Sequence, residues 1–385
     1  MYKRFLLIIL LFGGFSFSYD FSKIDSIVQS GISNRYYPCA QLIIGLNNDK
    51  IYEKSYGKLT YDENSEELKY FNLFDLASVT KVVATTTAIM VLYENGKINL
   101  DDKVIKYIPE FDNNGKSGIT LRNLLLHNSG LKAWIPFYKY YKTKEEVLSA
   151  IYNITLEYSP ETKFVYSDLN AILLGIIVER ISEKKLNHFS TEEIFKKLGM
   201  NETFFTPGEF SVPYCVPTEY DTYWRNKQLK GEVHDEAAYI LGGVAGNAGL
   251  FSDAWNLFVF MRMMLNKGKY YNPYTRGLKE EKFFNEKTVD LFTTKVTGLP
   301  YKNTRALGWD TKPEPNKYRT QCGEMFSENC FGHTGYTGTS VWCDNDYKIT
   351  VIFLTNRIYP SRGNEGIRDI RPDLHNAIIN LIKNN

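Results

Sequence analysis

After the first twenty residues, two hydrophobic patterns alternate along the chain, and their order suggests an architecture. Residues 21–33 place Ile24, Ile27, Val28 and Ile32 at helical spacing. "AQLIIGLNNDKIYEKSYG" (40–57) reads as two strands joined by an Asn-Asn-Asp turn. Near Ser78 the period becomes helical. "SVTKVVATTTAIMVLYENG" predicts a long helix, apolar or small nearly all round, with Gly96 as its C-cap. The middle of the chain stays helical. Thr120 caps "LRNLLLHNSG", "TKEEVLSAIYNI" is amphipathic, "SDLNAILLGIIVERIS" (167–182) is strongly apolar, and "TEEIFKKLG" closes at Gly199. Residues 206–232 are irregular and rich in Tyr, and "DAWNLFVFMRMMLNKG" (253–268) returns to helix. The end switches back: "TSVWCDNDYKITVIFLTN" (339–356) is a hairpin around "DND", and "IRDIRPDLHNAIINLIK" (367–383) predicts a closing helix broken before Pro372.

Strands from both ends thus bracket a helical middle. The simplest packing is an α+β fold: an antiparallel sheet formed from both chain ends, flanked by the terminal helices, with an inserted helical domain. The expected boundaries put the sheet region at about 19–75 and 300–385 and the helical region at about 76–299.

The start of the chain changes the picture of where the protein works. "MYKRFLLIILLFGGFSFSYD" has the basic residues Lys3 and Arg4, an apolar run over 5–17, and small residues Ser16 and Ser18 before Tyr19. This is the form of a secretory signal, residues 1–18, and predicts an exported, periplasmic or secreted protein. The run is shorter than the ~20 residues a spanning helix needs. No stable membrane span is therefore expected after cleavage; an uncleaved anchor is the alternative. Without Lys3 and Arg4 the 46 basic residues fall to 44, equal to the 44 acidic ones. A neutral chain disfavours nucleic acid as a partner. Five Cys are present, none at zinc spacing with a His, and Cys322 and Cys330 are the best candidate disulfide pair. No metal and no cofactor are implied. Gly-x-Ser-x-Gly and His-Glu-x-x-His are both missing, and the glycines of "GGVAGNAG" lack phosphate-loop spacing.

Candidate chemistry begins with Ser-x-x-Lys, which occurs four times: Ser55/Lys58, Ser78/Lys81, Ser129/Lys132 and Ser182/Lys185. Ser55 and Lys58 lie on a strand, where positions three apart face opposite sides. Ser182 sits in a charged helix end and Ser129 in a loop, with no evident reason for burial. Ser78 instead opens the buried helix. There, free backbone N–H groups favour negative charge, and Lys81 lies one turn on along the same face. Desolvation is expected to push Lys81 toward the neutral amine, able to take the serine proton. An N-cap serine beside a solvated lysine is the competing reading.

Two further stretches bear on that choice. "FVYSDLN" puts Tyr166 before the apolar helix, and "FGHTGYTGTSVW" puts His333-Thr334-Gly335 at the entry to the last hairpin. With "ASVTK" they stand in the order of the three motifs of serine β-lactamases and penicillin-binding proteins. "NGKINLDDKVIKYIPEF", "ITLRNLLLHNSGL", "GGVAGNAGLFS" and "LTNR" are also similar to that family, in the same order. The chain most resembles the class C β-lactamase-related serine hydrolases over roughly residues 21–383.

The resemblance implies a catalytic set of Ser78 as the acylated residue, Lys81, and Tyr166 as general base. It implies backbone N–H groups of Ser78 and Tyr336 for the oxyanion hole. Asp168, His333, Thr334 and Gly335 would contact substrate, with His234 bordering the cleft or bonded to Asp235, and His127 structural. Asp168 stands where the family more often has Asn, which favours a charged Lys81. His333 replaces the usual Lys, making charge at that site depend on pH. No match is found for the family's amide-binding Gln. The implied activity is acyl transfer through Ser78 on cell-wall D-Ala peptides or β-lactams. A carboxylesterase of the same family and a non-hydrolysing penicillin-binding sensor are the alternatives.

Overall fold

The computed structural model describes residues 19–272, 279–314 and 319–384. The expected signal segment, 1–18, lies outside the described residues. The protein has the expected α+β architecture, built on a six-stranded antiparallel sheet. Its strands are β1 (Cys39–Leu46), β2 (Asp49–Gly57), β3 (Asp310–Thr311), β4 (Cys330–Thr334), β5 (Ser340–Asp344) and β6 (Ile349–Thr355), in the order β3-β4-β5-β6-β1-β2. Strand β1 lies beside β6, with Leu42 opposite Phe353 and Ile43 opposite Ile352. The two chain ends are therefore zipped together at the middle of the sheet. Asn47 and Asn48, with φ of 49° and 78°, make the tight turn between β1 and β2, a conformation Asn tolerates better than most residues.

Both faces of the central strands are buried, which is why they read as nearly continuous apolar runs. Ala40, Leu42, Ile44, Val351 and Phe353 share one core with Ile24 and Val28 of helix α1 (Ser22–Ser33) and with Leu374 and Ile378 of the C-terminal helix. Ile43, Val341, Ile352 and Leu354 face the other way, into a larger core. That core holds helices α2 (Thr87–Glu94), α3 (Asp168–Ser182) and α4 (Ala254–Leu265).

The C-terminal helix α5 runs unbroken over Ile367–Lys383, with Pro372 inside it. The expected break does not occur. Proline removes the N–H that would reach the Arg368 carbonyl, and Gln321 Nε2 donates to that carbonyl instead, at 3.2 Å. All five cysteines are buried and free; Cys322 and Cys330 are neighbouring thiols, not a disulfide.

A second, small sheet was not legible in the sequence. Phe74–Asp75 and Phe204–Phe205 flank Leu250–Ser252. It delivers the chain to Ser78.

Candidate active site

Asp75 ends the first of these short strands and folds its carboxylate back over the next turn. Oδ1 accepts the Ala77 N–H at 2.8 Å, and Oδ2 accepts the His234 N–H at 2.6 Å. Burial nonetheless pushes the Asp75 carboxyl above its ordinary value. The turn holds Ala77 at φ +46°, a left-handed conformation that costs energy for a residue with a Cβ. A 3₁₀ turn, Ala77–Val79, carries Ser78, and widened π-helical turns over Lys81–Thr86 lead into α2. The regular helix expected from Ser78 is therefore irregular in its first turns, a distortion common at functional sites.

The opposite wall is tied to this segment by the turn after β4. Thr337 Oγ1 donates to the Asp75 carbonyl at 2.7 Å, and Thr339 Oγ1 donates to the Leu76 carbonyl at 2.9 Å. A Cβ on Gly335 would lie 2.4 Å from that same carbonyl, so only glycine allows the approach. Tyr336, next along, lies half-exposed over the site.

Lys81 is buried, and its ammonium spends its three N–H donors on three acceptors. These are Ser78 Oγ at 2.9 Å, the Asn247 carbonyl at 2.9 Å and Asp168 Oδ1 at 2.7 Å. Burial acts to neutralise the amine, but the neighbouring Asp168 carboxylate and Tyr166 outweigh it and raise its proton affinity. The neutral amine expected from desolvation is thus overturned: Lys81 rests as a cation. Asp168 is the first residue of α3, where the helix dipole favours a carboxylate. Asn247 reaches Lys81 because the preceding Gly246 packs against α3, where a Cβ would meet the Ala171 carbonyl at 1.9 Å.

Tyr166 sits among cations and imidazoles. The Lys81 ammonium is 5.1 Å from its ring centre and the Arg305 guanidinium 5.5 Å. The His127 and His333 rings lie 4.7 and 5.9 Å from it, centre to centre. His127 is buried and accepts the Ser167 N–H through Nδ1 at 3.1 Å. His333 is buried, its Nδ1 donating to the Thr334 carbonyl at 2.8 Å. Burial, with the nearby Arg305 and Lys81 charges, holds both imidazoles well below their ordinary proton affinity. His333 is consequently neutral and brings no cation to the third motif.

A cleft of about 400 Å³ opens on Ser78. Tyr166, Asp168, His234, Asp235 and Tyr336 line it with the serine, whereas His333, Thr334 and Gly335 are not among its lining residues. His234 bonds through Nε2 to Glu219 at 2.9 Å, not to Asp235, and its ring stacks on Tyr336 at 5.8 Å. Asp235 instead caps a short helix, accepting the Ala238 N–H at 2.7 Å. Burial, reinforced by the Asp168 charge, pushes Asp235 up to about 6. Arg362 closes this corner, bonded to Glu219 at 2.9 Å and Glu236 at 3.0 Å.

The other Ser-x-x-Lys serines are elsewhere. Ser129, expected to be unburied, is fully buried because its hydroxyl donates to Asn170 at 2.6 Å and braces the loop before α3. Sequence reasoning missed Asn247, Arg305, Glu219 and Arg362. Only "GGVAGNAG" carried a signal, through its resemblance to the family. Among the described residues no cluster of His, Cys, Asp and Glu could hold a metal ion.

A serine on a helix start, bonded to a lysine one turn on and sharing a cleft with a tyrosine beside a six-stranded antiparallel sheet, defines a class: serine hydrolases of the β-lactamase/transpeptidase-like fold. The chain belongs to the beta-lactamase family, whose model matches residues 24–373. It is 34% identical to an N-acetylmuramyl-L-alanine amidase of Bacillus subtilis (strain 168), over 87% of this chain and 80% of that one. It is also 34% identical to an Escherichia coli (strain K12) protein named "Putative D-alanyl-D-alanine carboxypeptidase", over 83% and 79%. Among solved structures, the fold is similar to a penicillin-binding protein homolog from Caulobacter crescentus, with a TM-score of 0.72 at 16% identity over 93% of this chain and 97% of that one. It is similar as well to EstCE1, a hydrolase with promiscuous acyltransferase activity, with a TM-score of 0.69 at 20% identity over 91% and 97%.

Proposed function

We propose that this serine hydrolase is exported and works through an acyl-enzyme on Ser78, with cell-wall D-Ala peptides or β-lactams as substrates. The observation that carries the reading is the Lys81 ammonium, which ties Ser78, Asp168 and the Asn247 carbonyl together at the mouth of a cleft. In the forward step the Ser78 proton leaves toward Tyr166, assisted by Lys81, as Oγ bonds to the substrate carbonyl carbon. The backbone N–H groups of Ser78 and Tyr336 face the developing oxyanion. Collapse breaks the bond to the leaving group, which departs with the proton. Water then attacks the acyl-enzyme by the same route in reverse and releases the acid.

The names of the Bacillus and Escherichia relatives favour a peptide of the cell wall, and the apolar start of the chain favours export. No helix among the described residues is long and apolar enough to cross a membrane. One observation favours an ester substrate instead. The neutral His333 supplies no charge to hold a terminal carboxylate, a group that a D-Ala peptide carries and a simple ester lacks.

Intact-mass spectrometry of wild type and Ser78→Ala with nitrocefin, a D-Ala-D-Ala peptide and a short-chain ester tests both readings. A mass adduct on wild type alone is expected, and the fastest-turned-over substrate decides between peptidase and esterase. Full turnover by Ser78→Ala would remove the nucleophile assignment.

A further inference from the structure

A groove larger than the cleft beside Ser78 lies elsewhere on the described surface. It encloses about 810 Å³ and shares no lining residue with the catalytic cleft. Four of its walls are aromatic and open to solvent: Tyr70 is 69% exposed, Phe71 41%, Tyr214 49% and Trp255 42%. Large apolar side chains gathered at one site on a surface mark a binding face. These rings are also fixed in place. Tyr70, Phe71 and Tyr214 form a run of edge-to-face contacts, with centres 5.2 and 5.7 Å apart and planes near perpendicular. Trp255, beside the Asp253 cap of α4, packs on Phe258 at 5.8 Å.

Between the rings the groove offers polar side chains. Asn201 and Glu202 are exposed within it, while Asp253 and Asn256, bonded to each other, form its buried floor. The single basic residue lining it, Lys50, is bonded to Glu53 and lies 4.8 Å over the Trp255 ring. A phosphorylated or otherwise anionic ligand finds no free cation among these lining residues. A wholly apolar ligand would bury the exposed Glu202 carboxylate and the Asn201 amide away from water, at a cost. The chemistry that fits has flat apolar faces for the rings and many hydroxyl and amide donors for the carboxylates and side-chain amides. Pyranose sugars have both.

We propose that this groove is a second binding site, for a β-linked N-acetylhexosamine glycan. Naming that glycan as the saccharide strand of the cell wall rests on the peptide-hydrolase reading above. The placement gives the site a purpose. Tyr70, Phe71 and Leu73 of the groove lead directly into Phe74–Asp75 and the Ser78 turn, so a strand held here is anchored beside the segment that bears the nucleophile. The groove would then act on polymeric substrate only, raising its local concentration without touching the acyl-transfer step.

The test uses the full chain, as Ser78→Ala for binding and with Ser78 intact for turnover, each with and without the paired changes Trp255→Ala and Tyr70→Ala. Both rings are exposed, and matching melting curves check the fold. Binding of chitotetraose is measured by isothermal titration calorimetry, with a D-Ala peptide and a cationic peptide as separate arms. Saturable chitotetraose binding is expected, weakened about tenfold or more by the aromatic changes. Turnover of a soluble substrate should be unchanged, while release from insoluble murein sacculi falls. Glu202→Gln, which leaves the rings in place, should weaken binding by a smaller factor. No chitotetraose binding, or binding by the cationic peptide alone, overturns the site. Equal sacculus turnover in the ring variant overturns its role. Because binding is read on Ser78→Ala, loss of the acyl-enzyme reading would leave this result standing on its own.

Discussion

Lys81 Nζ and Asp168 Oδ1 stand 2.7 Å apart in a site where the lysine is buried and the aspartate partly open to the cleft. The carboxylate raises the lysine's proton affinity, so in the proposed acylation a base other than Lys81 receives the serine proton. Asp168→Asn removes that charge and leaves burial to act alone, which lowers the lysine's proton affinity. Because Lys81 assists as a cation, the alkaline limb of the rate profile should move to lower pH by about one to three units. The melting temperature should fall, since removing one member of a buried pair costs about 3–5 kcal/mol unless the survivor gives up its charge. A pH-rate profile of Ser78 acylation, measured beside thermal melts, checks both. An unmoved alkaline limb would show that Lys81 does not set it.

Tyr166 lines the same cleft as Ser78, with the Lys81 and Arg305 cations 5.1 and 5.5 Å from its ring centre. Tyr166→Phe keeps the packing against His127 and His333 and removes the oxygen. The acylation rate should drop by about two to four orders of magnitude, with stability little changed. Stopped-flow acylation of the variant decides the point. A loss below tenfold would return the general-base role to Lys81.

Gly246→Ala is expected to act at a distance. The new methyl would sit 1.9 Å from the Ala171 carbonyl on α3. The loop must move, and with it the Asn247 carbonyl that holds Lys81. Overpacking of this kind costs about 1–3 kcal/mol. A denaturant melt should show the loss, together with weaker acylation at unchanged pH.

Glu219 links the cleft wall to stability in acid. Burial alone would raise its carboxyl, but bonds from His234 and Arg362 win and lower it from 4.5 to about 2. A folded value below the unfolded one stabilises the protein above the unfolded value, and that contribution disappears as pH falls from about 4.5 through about 2. Glu219→Gln should therefore lower stability at pH 7 and flatten its dependence over that acid window. Urea melts at a series of pH values would show this; parallel curves for the two proteins would contradict it.

Much of the scaffold could be read from local pattern. The spacing of Ile24 and Val28, the capping residues Thr120 and Thr143, and the Asn-Asn turn each specify an element within a few residues of themselves. Helix α5 shows the limit. Pro372 argues for a break, yet a glutamine fifty-one residues earlier in the chain occupies the carbonyl that proline leaves free.

The motifs themselves, Ser78-x-x-Lys81, Tyr166 and His333-Thr334-Gly335, were determined by the sequence, where helix context and the resemblance to the serine β-lactamase family single them out from other copies of the same pattern. Their charge states were not. Lys81 is an ammonium because Asp168 and Asn247 reach it from elements about 90 and 170 residues away. His333 is neutral because it is buried beside Arg305 and Lys81. His234 pairs with Glu219, not its neighbour Asp235, because the latter is spent on a helix cap. Proton affinity depends on burial and on charges within a few ångströms, and those distances are set only when the chain is folded.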